Sequence, residues 1–69
     1  MNKIERINKL IGQTMTAIRK ARGKRRELLR VAMRWLNRAR WALHRAYELT
    51  TSHAMGCAAR YLREAATWA

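Results

Sequence analysis

Ile4, Ile7, Ile11, Thr14, Ile18 and Ala21 recur at alternating spacings of three and four residues, flanked by Leu10, Met15 and Ala17. Arg6, Lys9, Gln13, Thr16 and Lys20 fall on the opposite side. This is the repeat of an α-helix with one apolar face. It predicts a first helix over residues 3–22. Asn2 is placed to cap it, with Glu5 three positions on as in a capping box. Gly23 is the predicted C-terminal stop, with Arg19, Lys20 and Arg22 near the negative end of the helix.

A second stripe contains Leu28, Ala32, Trp35, Ala39, Ala42, Ala46 and Leu49, widened by Leu29, Leu36 and Leu43. Its heptad-like spacing suits a coiled-coil seam and predicts a second helix over residues 25–49. A short turn at Gly23 and Lys24 makes the two helices antiparallel neighbours. A third face holds Ala54, Ala58, Tyr61, Ala65 and Trp68, which predicts a helix over residues 54–68. This face is rotated by nearly a quarter turn from that of helix 2. With Thr50, Thr51, Ser52 and Gly56, the rotation places a break near residues 50–56. One helix running through to the C-terminus is the alternative. The small residues Ala58, Ala65 and Ala66 permit close approach to another helix. The predicted fold class is all-α: an antiparallel helical hairpin plus a third, Ala-rich helix, self-associating through its stripes, in one domain over residues 1–69.

Composition narrows the picture. The chain has 69 residues, no Pro, no Phe and one Cys. A domain this short buries only about 60% of the surface its unfolded chain exposes. One hydrophobic core of this size rarely supplies more than ~3–5 kcal/mol, and a lone cysteine excludes an intrachain disulfide. A homo-oligomer or a larger protein partner is therefore the expected source of further stability. The longest run without a polar side chain, residues 54–59, is far short of a membrane span. The N-terminal stretch has no apolar segment of the signal-peptide kind. The expected location is cytoplasmic, where Cys57 stays reduced.

Charge changes the picture most. Sixteen Lys and Arg stand against four Glu, for a net charge of +12, and Arg outnumbers Lys twelve to four. Residues 1–50 carry +11 of it and residues 51–69 only +1. Such an excess favours an anionic partner, and guanidinium groups make forked hydrogen bonds to phosphate.

Two basic features are candidate contact surfaces. On a helical wheel Arg30, Arg34, Arg38, Arg45 and Glu48 surround Trp41, away from the apolar stripe. An indole on an arginine face can stack on a base, sit at a lipid interface or anchor a protein interface. The competing reading has Trp41 packed against helix 3 or a second copy, under the Arg side-chain stems. Trp35, in the stripe, reads as core. The second feature is the predicted turn, where Arg22, Lys24, Arg25 and Arg26 sit beside Arg19 and Lys20. It can grip a phosphate backbone or serve only as a solvated, aggregation-resisting loop.

Other chemistry is weak. His53 and Cys57 share a helix face, but two ligands do not close a zinc site, so no metal is expected. Glu5, Glu27, Glu48 and Glu64 each have a basic neighbour at helical spacing, and none pairs as acid and base. No cofactor and no catalytic residue are predicted. The expectation is a small, non-enzymatic binding protein that docks Arg30, Arg34, Arg38, Trp41, Arg45, Arg22, Lys24, Arg25 and Arg26 onto nucleic acid or a nucleic-acid-handling complex. One alternative is a small inhibitor or adaptor, of the phage or plasmid type, on an acidic surface or channel of a larger protein. Another, less favoured, is a membrane-active cationic amphipathic helix.

Overall fold

The computed structural model describes residues 2–68, which form three α-helices in an up-down-up bundle: α1 (Lys3–Lys20), α2 (Gly23–His44) and α3 (Glu48–Ala66). The architecture is the all-helical hairpin with a third helix that the pattern predicts. The bundle measures 35 × 18 × 16 Å. No described helix is long and apolar enough to cross a membrane.

The start of α1 follows its sequence signal. Asn2 Oδ1 accepts from the Glu5 backbone N–H at 2.9 Å, and the Glu5 carboxylate accepts from Asn2 Nδ2 at 3.4 Å. That closes the expected cap, with the Asn2 side chain donating the return bond in place of its backbone. The end of α1 differs from expectation. The helix stops at Lys20, and Ala21 turns extended so that its methyl is buried against Leu28 and Leu29. Gly23 does not stop α1; it opens α2, with φ +62°, a conformation an L side chain resists. The turn is therefore at residues 21–22, and Lys24, Arg25 and Arg26 lie in the first turns of α2.

The larger correction concerns the second turn. α2 ends at His44, not Leu49, and the break falls at residues 45–47, not 50–56. The Ala46 N–H donates to the Leu43 carbonyl at 3.0 Å and the Tyr47 N–H to the Ala42 carbonyl at 2.9 Å. Ala46 has φ 60°. These are the two bonds of a Schellman stop, with Ala in the left-handed position that glycine usually takes. Ala46 is exposed and Leu49 is 88% exposed, so neither joins the stripe. Thr50, Thr51, Ser52 and Gly56 are all helical, because α3 has already begun at Glu48. The Thr51 hydroxyl donates to the Tyr47 carbonyl at 2.8 Å, which lets a buried Thr sit inside the helix. α3 ends at Ala66, and Trp68 lies beyond it and exposed.

The core has two parts. Ile7 and Ile11 of α1, Leu36 and Ala39 of α2, and Ala54 and Ala58 of α3 bury one another at one end. Ala21, Leu28, Leu29 and Ala65 do so at the other. Ala32, Ala39, Ala42 and Ala54 are fully buried. Their small side chains let α2 and α3 approach closely, as the Ala-rich third face implies, although Ala66 is exposed. The stripes thus cover one another within a single chain. Trp35 is only half-buried, with its ring 5.6 Å from His53 in an edge-on arrangement.

Candidate nucleic-acid interface

The outer face of α2 carries Arg30, Arg34, Arg38 and Trp41, all exposed, opposite the buried Leu36, Ala32 and Ala39. The helical repeat dictates this. Spacings of three, four and seven residues keep the four on one side, while the stripe keeps to the other. Trp41 is 47% exposed, so it is not a core residue of the chain. From Arg30 to Arg45 the face runs about 22 Å along the axis.

The helix end shapes the Trp41 environment. Arg45 is the C-cap residue, at φ −94°, ψ 3°, and no longer helical. Its guanidinium carbon lies 4.9 Å from the Trp41 ring centroid, a cation–π contact. Tyr47 meets the same indole at 5.7 Å and 66°. Glu48, expected on this face, belongs instead to the first turn of α3, where its charge suits the positive helix end.

Beside Trp41 lies an open basin of about 590 Å³, lined by Asn8, Asn37, Arg40, Trp41 and His44. Arg40 Nη1 donates to Asn8 Oδ1 at 3.4 Å and so ties α1 to α2 at the basin. Reading the sequence misses Asn8, Asn37, Arg40 and His44. Asn37 and His44 are helical neighbours of Trp41, at i−4 and i+3, and that signal is in the sequence. Asn8 is different. Only an antiparallel hairpin turning near residues 21–22 brings residue 8 alongside residue 40.

The predicted basic turn is a separate feature. Arg22, Lys24, Arg25 and Arg26 are exposed at the far end of α2, about 25 Å from Trp41 along the axis. Arg22 occupies the N-cap without a side-chain cap bond, and the first turn of α2 has no acidic residue. Cations here sit at the positive end of the α2 dipole, an arrangement that only a nearby negative charge offsets. The negative end of α1, with Arg19 and Lys20 in its last turn, lies across the turn at residues 21–22, and Glu27 follows Arg26 in α2.

His53 Nε2 lies 3.6 Å from Cys57 Sγ, with His53 exposed and Cys57 half-buried. Among the described residues no three His, Cys, Asp or Glu side chains gather as a metal site. Compared with known protein families, with curated proteins and with solved structures, the chain shows no match to any.

Proposed function

We propose that the protein is a non-enzymatic nucleic-acid-binding module that lays the outer face of α2 along a phosphate backbone. The observation that carries this reading is Trp41, half exposed opposite the core and flanked by Arg34, Arg38 and Arg45. Water solvates an indole poorly, and the fold does not need this ring in its interior. Arginines at i, i+4 and i+8 repel one another, and a row of phosphates relieves that repulsion. Their forked donors match phosphate oxygens better than ammonium groups would. Arg22, Lys24, Arg25 and Arg26 supply a second, distal set of backbone contacts. Glu5, Glu27, Glu48 and Glu64 have no catalytic role in this reading; they are exposed and dispersed over the three helices.

Fluorescence anisotropy of labelled oligonucleotides against salt tests the reading. Contact with about four to six phosphates gives log K falling with log salt at a slope of roughly −3 to −5. Replacing Arg34, Arg38 and Arg45 together by Ala should flatten the slope by about 2 to 3. A polyglutamate peptide bound as tightly as the oligonucleotide would instead identify the face as a dock for an acidic protein.

A further inference from the structure

We infer that the basin beside Trp41 takes one unpaired nucleobase, so that the protein selects single-stranded over double-stranded nucleic acid. The inference rests on the nucleic-acid reading above and gives it a substrate class.

The basin offers three kinds of chemistry together. Trp41 supplies a flat apolar platform, still 47% exposed although Arg45 and Tyr47 both contact it. Asn8 and Asn37 supply side-chain amides, each with a carbonyl acceptor and an NH2 donor. Arg40 and His44 add planar nitrogen donors at the rim. The 3.4 Å bond from Arg40 uses Asn8 Oδ1 and leaves the Asn8 Nδ2 donor outside that bond. A carboxylate or phosphate would use the cations and the amide N–H donors, but it would leave the free amide carbonyl of Asn37 and the indole without a role. A planar heterocycle with donors and acceptors on its edge uses all of them. The volume, about 590 Å³, is within the ~300–1,000 Å³ of small-ligand clefts.

Strand selection follows from access. In a duplex both faces of every base are covered by its neighbours, and only the edges show in the grooves. A base reaches the Trp41 face only after leaving the stack, which costs least in a strand already unpaired. Arg45, 4.9 Å from the Trp41 ring centroid, would hold a phosphate next to that base, and Arg34 and Arg38 continue the same face of α2 for the phosphates beyond.

The test compares three labelled probes on the full chain: a mixed-sequence single strand, the same strand annealed to its complement, and a single strand of the same length made entirely of abasic sites. The intact strand should bind about 5-fold or more tighter than either of the others, up to about 150-fold. Trp41→Leu, which keeps an apolar contact for Tyr47, and Asn37→Ala, at an exposed helical position, should each bring the intact-to-abasic ratio close to one. Trp41→Phe should restore most of it. Arg34→Ala should weaken both strands in parallel and keep the ratio. Equal affinity of the wild-type chain for intact and abasic strands would overturn the base-binding inference and leave backbone binding standing. Loss of all binding by ~150 mM salt would overturn both.

Discussion

The rings of Trp41 and Tyr47 meet at 5.7 Å across the end of α2, at an angle of 66°. In the Schellman stop that ends this helix, Tyr47 follows the left-handed residue and Trp41 sits one turn back. A contact between these two positions usually accompanies the motif. The exposed indole therefore has two tasks, closing a helix end and presenting a surface. Tyr47→Ala should lower stability by about 0.5–1.5 kcal/mol, which is a fall in Tm of some 4–8 °C per kcal/mol at this size. Trp41→Ala also loses the Arg45 contact and should cost about 1–2 kcal/mol. Thermal melts followed by circular dichroism check both. No change in Tm for Tyr47→Ala would mean that the ring pair contributes nothing to the turn.

Ala46 and Gly23 share a left-handed backbone, at φ 60° and 62°, on chemically opposite terms. For Ala46 the methyl group is strained, and Ala46→Gly should stabilise the fold by about 1 kcal/mol. For Gly23 the strain would be introduced, and Gly23→Ala should destabilise by a similar ~1 kcal/mol although a Cβ there meets nothing within 4 Å. Urea titrations of the pair should move in opposite directions. An Ala46→Gly variant less stable than the parent would contradict the assigned turn.

The alanine seam between α2 and α3 has no room for larger side chains. Ala39 is fully buried among Ile7, Leu36, Ala54 and Ala58. Ala39→Leu should cost about 1–3 kcal/mol by forcing the helices apart. Leu49 is the control. Sequence periodicity puts it in the same stripe, but it is 88% exposed, so Leu49→Gln should change stability by no more than ~0.5 kcal/mol. A large loss for Leu49→Gln, measured by the same unfolding titration, would restore the longer α2.

Arg30, Arg34 and Arg38 repel one another along an exposed helix face in a chain of net charge +12. Raising salt from ~10 to ~150 mM should therefore raise Tm, as the screening length shortens from about 30 to 8 Å. Arg34→Gln removes two like-charge pairs and should stabilise the free protein by roughly 0.4–1 kcal/mol at low salt. The same substitution should weaken oligonucleotide binding. Lower stability together with weaker binding would show that Arg34 supports the fold.

The local residue pattern determined the all-helical class, the cap at Asn2 and Glu5, the burial of Ile7, Ile11, Leu28 and Ala39, and the side of α2 on which Trp41 lies. These depend on residues within one or two turns of each other, and the 3.6-residue repeat makes that order local. It could not determine where α2 stops. The quarter-turn shift of the third apolar face was legible, but the signals for a break, Thr50, Thr51, Ser52 and Gly56, all lie inside α3. The stop itself uses Ala46, a residue with no preference for a left-handed backbone, and is held by hydrogen bonds to Ala42 and Leu43. The basin was equally hidden. Asn8 and Arg40 are 32 positions apart and meet at 3.4 Å only because Ala21 leaves α1 to pack on Leu28 and Leu29 and turns the chain back. A helix face is written in neighbouring residues, whereas a site between helices depends on which turn the buried core makes most stable.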